Sequence, residues 1–406
     1  MKTFSEYKNT PNNIYVNEST STQYTLFPKD KDELLHMIQD ERNKQGDNAD
    51  LNHIDVSNIK DLSYLFRGTK FCGDISKWDV SNATSMYGMF SYSSFNGDIS
   101  KWDVSNVTHM SYMFSYCKSF NCDLSDWDVS NVTNMSNMFQ GADAFNGDIS
   151  NWDVSNVTDM SYMFNGCKLF SQDLSGWDVS KVTYMKEMFS FSKFNSDIST
   201  WDVRNVTNMN GMFYGSAFNG NLKRWNTKNV EDMAGMFSSS NFNQDISKWD
   251  VSKVKYMASM FQGSNFNQDI SKWDVSNVTF MNYMFSRASA FNQDISGWNV
   301  SKVKSMDGMF EEAKSFNQDI SMWNVSEVKY MGHMFYKCES FNQDISKWDV
   351  SNVKDMDYMF SGAESFNQDI SGWDVSGVKN NKKMFEDCPC AERYRPEFYL
   401  ITNSSI

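Results

Sequence analysis

Thirteen tryptophans stand at positions 78, 102, 127, 152, 177, 201, 225, 249, 273, 298, 323, 348 and 373, and every spacing between them is 24 or 25 residues. The methionines keep the same beat. Twenty-five of the 28 fall in an M-x-x-M-F pattern or its degraded last copy, as at Met110, Met113 and Phe114. An earlier copy, IDVSNIKDLSYLF over 54–66, lacks the Trp and uses Leu62 and Leu65 for the two methionines. A fixed period sustained over about fourteen copies between 52 and 387 is the mark of a solenoid, in which each coil stacks only on its neighbours.

The variation in length is local. Seven residues always separate a coil's first Phe from its Trp (Phe95 to Trp102), and twelve separate that Trp from the M-F phenylalanine (Phe114). The extra residue falls between one M-F and the next F-N, which marks a surface turn. In the coil Phe341–Ser365 about one residue in three is apolar, more than a lone 25-residue coil can bury. Stacking buries it, with Trp102, Trp249, Trp348, Ile246, Met257, Met260 and Phe261 as representative core positions. The stretch NQDISKW reads as a short parallel strand. KDMDYMFSGA carries apolar residues at i, i+3 and i+4 and reads as a two-turn helix. The expected fold class is an α/β solenoid of about fourteen stacked coils, each a short parallel strand plus a short helix, roughly 65 Å long at ~4.8 Å per coil.

The expected organisation is an irregular extension over 1–27, a helical cap over 28–50, the repeat solenoid over 51–387, and a C-terminal cap and tail over 388–406. In the first cap, Leu34, Leu35 and Ile38 are expected to face the first coil, with Gly46 past the helix end. Asp fills the D-I/L column in all but one coil (Asn221), and the Asp after Trp becomes Asn at 226, 299 and 324. Asn keeps the hydrogen-bonding geometry and discards the charge, so these side chains are expected to cap backbone amides rather than hold cations.

A net charge of −14 with dispersed Lys and Arg argues against nucleic acid as a partner. The first residues show no secretory signal, and no apolar run reaches the ~20 residues needed to span a bilayer. A soluble intracellular location, or a surface or virion location reached by an unconventional route, fits this pattern. Cys117, Cys167, Cys338 and Cys388 share a column with Ala142, Ala288, Ala313 and Ala363, a small buried position rather than a disulfide framework. The C-P-C at Cys388 and Cys390 lacks a second pair of zinc ligands. The sequons at Asn106, Asn131, Asn156, Asn205 and Asn277 arise automatically from the repeat's S-N-V-T turn. No nucleophile–base constellation stands out, so no enzyme, cofactor or metal is expected. The one irregular coil, FNGNLKRWNTKNV, gains Lys223, Arg224 and Lys228, with Arg204 one coil earlier. This basic island is the candidate contact for an anionic surface.

The units W-D-V-S-N-V-T-x-M-S-Y-M-F and F-N-Q-D-I-S resemble the BspA-like class of leucine-rich repeats, known from Mycoplasma, other bacteria, protists and large DNA viruses, over roughly 51–387. The resemblance implies a surface or secreted binding protein and supplies no catalytic residues. The expected function is non-catalytic binding of a protein or glycan through an extended face, with attachment to a host or cell surface in view. The alternatives are a self-associating structural component of a particle or envelope, and an intracellular adaptor.

Overall fold

A computed structural model describes residues 15–17 and 22–398. The sequence expectations for residues 1–14, 18–21 and 399–406 lie outside the described residues. Two units are distinguished, Met1–Val182 with Phe191–Ser196 and Thr183–Ser190 with Asp197–Ile406. Each is a stack of coils.

In the first unit a small antiparallel hairpin, β1 (Tyr15–Asn17) and β2 (Thr22–Tyr24), precedes helix α1 (Lys31–Gln45). Asp30 caps α1 by accepting from the Glu33 amide at 2.9 Å, and Gly46 ends it at φ 84°. Leu34 and Ile38 are buried, while Leu35 is 37% exposed. The expectation that all three face the first coil is therefore corrected: 34 and 38 lie one turn apart, and 35 lies off that stripe. Lys31 reaches Asp61 at 2.9 Å and so ties α1 to the first M-F segment.

The helix expected in each coil is absent from the described residues. Over 354–363 the amides of Met356, Tyr358, Phe360 and Gly362 donate to Asn380, Lys382, Met384 and Glu386 in the next coil. The intervening amides of Met359, Ser361 and Ala363 close i→i−3 turns onto Met356, Tyr358 and Phe360. A helix would send every amide back along its own chain; here alternate amides leave it. Tyr358 and Gly362 take left-handed conformations, φ 56° and 69°. Tight turns thus reproduce the i, i+3, i+4 inward spacing without a helix.

The expected strand is displaced too. Parallel bridges run through the residue before the first Met, as in Tyr256↔Phe280↔Ser305↔Tyr330↔Asp355↔Asn380. In NQDISKW side chains do the linking: the Asn342 amide donates to Asn317 Oδ1 at 3.0 Å, and Gln343 Nε2 to the same oxygen at 2.9 Å.

Apolar side chains stack in columns. Ile246, Met257, Met260 and Phe261 are fully buried, and Trp102, Trp249 and Trp348 nearly so. Phe261 lies 4.0 Å from Phe266, which opens the next coil, and 5.7 Å from Phe285, which closes it, near-parallel to both. Trp323 and Trp348 stack at 6.5 Å with 3° between planes. Such pairs add ~0.5–1.5 kcal/mol beyond the area they bury. Each tryptophan also has a polar task. Trp249 Nε1 donates to the Leu222 carbonyl at 3.0 Å, and Trp348 Nε1 to Ile320 at 3.1 Å, both one coil back.

Left-handed tyrosines recur in the M-F segment, where each costs ~1–3 kcal/mol of backbone strain. Glycine in the next coil makes room for some of them. A Cβ at Gly308 would stand 2.2 Å from the Tyr283 ring, and one at Gly141 2.6 Å from Tyr116. At the C-terminal end the Ile370 amide donates to Tyr394, and the Ala391 amide to Asn367 Oδ1, both across to the last full coil.

Replacing Trp298 by Phe keeps the ring but leaves the Ile270 carbonyl, bonded at 3.1 Å, without its donor. The expected loss is about 1–3 kcal/mol in urea unfolding, with faster amide exchange in coils 270–310. Unchanged exchange there would contradict the role given to the indole N–H.

Candidate binding surface

The stacked carboxylates serve the backbone. Asp344 Oδ1 accepts from the Ser346 amide at 2.9 Å; Asp349 Oδ1 accepts from the Ser351 amide at 3.1 Å and from its hydroxyl at 2.7 Å. These bonds to Ser346 and Ser351 hold both carboxyls below their ordinary value. Among the described residues no group of three or more His, Cys, Asp or Glu is arranged to hold a metal ion. The sequon side chains are likewise engaged: Asn106 Nδ2 donates to the Ser81 carbonyl at 2.7 Å and Asn277 Nδ2 to Ser252 at 2.8 Å. All seven cysteines are free thiols. Cys117, Cys167 and Cys338 are fully buried and donate to the carbonyls of Phe95, Phe139 and Ala313. Burial pushes the Cys117 thiol up to about 11, and the Cys167 and Cys338 thiols are raised as well.

The basic island divides. Lys223 pairs with Asp245 at 2.8 Å and Arg204 with Asp202 at 2.8 Å, so both charges are partly spent on local contacts. Arg224 and Lys228 are exposed. Lys223 and Arg224 precede Trp225, in the segment that carries Lys248 and Lys272 in the next two coils. Arg204 and Lys228 belong instead to the turn after the Trp. There Asn229 Nδ2 donates to the Arg204 carbonyl at 2.7 Å, and Lys253 Nζ reaches Asn229 Oδ1 at 2.7 Å.

From that turn a larger feature continues that consensus reading had missed. In the first unit one backbone ladder runs through Lys60, Thr84, Thr108, Thr133 and Thr158, each amide donating to the residue one coil back. In the second unit the equivalent ladder runs Lys255, Thr279, Lys304, Lys329, Lys354 and Lys379, with 2.9 Å bonds. Lys255 pairs with Glu231. Among the described residues Lys304, Lys329, Lys354 and Lys379 make no ion pair. The adjoining bridge column exposes Tyr256, Phe280 and Tyr330, the first two stacked at 5.9 Å.

Two of the three carboxylate-to-amide changes fall beside these lysines, and the third falls beside Lys228. Asn226, Asn299 and Asn324 share coils with Lys228, with Lys302 and Lys304, and with Lys329. Asn299 and Asn324 still accept from the Ser301 and Ser326 amides, at 3.2 and 3.1 Å. The turn keeps its bond and loses its negative charge next to the lysines. The signal was legible as a switch from V-T-x-M to V-K-x-M between the two halves, but only by reading one column at a time.

The capping aspartates have folded pKa values below their ordinary 3.8, so the native state binds fewer protons than the unfolded chain near that pH. Their stabilisation is complete above 3.8 and is lost as pH falls through the lowered values. Asp307 and Glu311, raised chiefly by burial, act in the opposite sense. The expected outcome is a falling melting temperature below about pH 4 and a smaller acid loss in Asp344→Asn than in the parent, measured by circular dichroism.

The family model described as "Mycoplasma protein of unknown function, DUF285" matches six overlapping stretches, residues 33–149, 122–222, 190–265, 216–315, 239–342 and 295–394. No curated protein is a match. Among solved structures, a leucine-rich repeat protein from Bacteroides ovatus is 10% identical with a TM-score of 0.38, over 78% of this chain and 80% of that one. A Leptospira interrogans leucine-rich-repeat protein is 8% identical with a TM-score of 0.18, over 86% and 95%. None of these matches indicates a catalytic family. With its repeats matched from 33 to 394, this chain belongs to the DUF285 family of BspA-like repeat proteins.

Proposed function

We propose that the protein is a non-catalytic binding scaffold whose second unit engages a protein partner across the turn that follows each tryptophan. The observation that carries this reading is the row Lys304, Lys329, Lys354 and Lys379, spaced by one coil each and without ion pairs among the described residues. In a chain of net charge −14 such a row is a local departure, and Asn299 and Asn324 deepen it by removing carboxylates beside it. Exposed Tyr256, Phe280 and Tyr330 supply rigid apolar anchors, the residue type that dominates interface energetics. The partner surface is acidic with apolar recesses. The lysines govern encounter and register, and the aromatics govern residence. Arg204 and Lys228 extend the same turn; Lys223 and Arg224 form a separate contact before the Trp. No helix among the described residues is long and apolar enough to cross a membrane.

Two variants of the whole chain test the reading, Lys304→Glu/Lys329→Glu/Lys354→Glu and Tyr256→Ala/Phe280→Ala/Tyr330→Ala. Chemical cross-linking with mass spectrometry in the native source identifies the protein partner, and titration of the purified pair reads its affinity. Each variant is expected to weaken binding by at least about tenfold, the charge variant mainly through the association rate and with weaker salt dependence. Loss only with Lys223→Glu/Arg224→Glu would move the site to the other segment. A partner found to be a second copy of this chain would establish the assembly-forming role instead.

A further inference from the structure

The first unit carries a cavity unlike anything in the turn described above. It has a volume of about 180 Å³ and lies on the M-F side of the coils, walled by Tyr64, Tyr87, Tyr92 and Tyr112 with Arg67 and Ser115. Tyr64 meets Tyr87 edge-on at 5.1 Å, and Tyr87 meets Tyr112 at 5.5 Å with 50° between planes. The Arg67 guanidinium lies 5.2 Å from the Tyr64 ring centroid.

Two observations, at Ser115 and Arg67, point to a ligand, and the tyrosines around them shape the site. Tyr64, Tyr92 and Tyr112 hold left-handed backbones at φ 64°, 57° and 61°, although glycine occupies the corresponding places at Gly88 and Gly68. Tyr64 and Tyr92 are 44% and 57% exposed. Ser115 is 1% exposed and its hydroxyl has no hydrogen-bond partner. Arg67 is exposed at the cavity rim and has no ion pair among the described residues, so its guanidinium is open to an anionic group. Burial and the neighbouring phenols raise the Tyr87 hydroxyl to about 12, and no carboxylate is among the groups acting on it.

The chemistry narrows the class. A cavity below the ~300 Å³ usual for drug-sized ligands admits one ring rather than a chain. Ring planes set at 76° and 50° turn both faces and edges toward the cavity, which suits a puckered ring with C–H groups on several sides. A cationic ligand would meet Arg67 already seated on the Tyr64 face. A single guanidinium matches one carboxylate in a planar, two-point contact.

We propose that this cavity binds a carboxylate-bearing pyranose, such as the terminal acidic residue of a glycan, with its C–H faces on the tyrosines, its carboxylate on Arg67 and a hydroxyl on Ser115. The site is independent of the protein-binding turn of the second unit, and either can fail without the other.

Saturation-transfer NMR on the full chain tests it with methyl β-D-glucuronide and the methyl glycoside of N-acetylneuraminic acid, against methyl β-D-glucoside as the neutral control. Binding of one acidic sugar over the control is expected, and which one binds tells a uronic from a sialic source. Arg67→Met should weaken it at least about tenfold. Tyr64→Gly and Tyr92→Gly should weaken it with no loss of melting temperature, since glycine accepts those backbones. Absence of binding by both acids, equal binding of the neutral sugar, or binding untouched by Arg67→Met overturns the proposal.

Discussion

The structure depends on one constraint: a coil of 24 or 25 residues has more backbone donors than it can satisfy by itself. Its M-F segment divides them, alternate amides closing turns and the rest reaching the next coil, as in Met356 through Ala363. Each coil is thereby both the template and the cover for its neighbour. The tryptophan completes the arrangement from the side-chain end, because its indole N–H meets an Ile or Leu carbonyl one coil back, as in Trp249 to Leu222. A phenylalanine would keep an aromatic ring in the column but leave a void and that carbonyl buried without a donor.

The same constraint explains the polar letters. Asp344, Asn342 and Gln343 are adjacent, and all three bond to backbone or to the like residue a coil away. They are part of the stacking machinery, which leaves function to the positions that stacking does not use. Two sets of such positions stand out. One is the ladder residue after V, which is Thr in most of the first unit and Lys in most of the second. The other is the left-handed place in the M-F turn, where tyrosine, glycine, glutamate and histidine all occur.

Much of this was open to reading. Trp and Met periodicity located the buried columns, and the Asp/Asn exchange at 226, 299 and 324 identified a capping role, which the bonds from Ser301 and Ser326 bear out. The charge cluster around Trp225 was visible as composition. Its division was not, because Lys223 finds Asp245 across the coil gap, and proximity of that kind is set by stacking register. The cavity at Tyr64, Arg67 and Ser115 was hidden for the same reason. Its walls come from successive coils, and nothing in one coil shows that Gly88 leaves the Tyr64 ring its room.

The sequence by itself determined the period, the apolar columns and the capping turns, because each follows from what one coil must bury and bond. Tertiary structure alone decided the backbone of the M-F segment. Apolar residues at 356, 359 and 360 suit a helix or a pair of tight turns equally well, and only the amides of Tyr358 and Gly362 donating to Lys382 and Glu386 distinguish the two. A helix would leave those carbonyls of the next coil without these donors, and the stack would lose the bonds that hold it together.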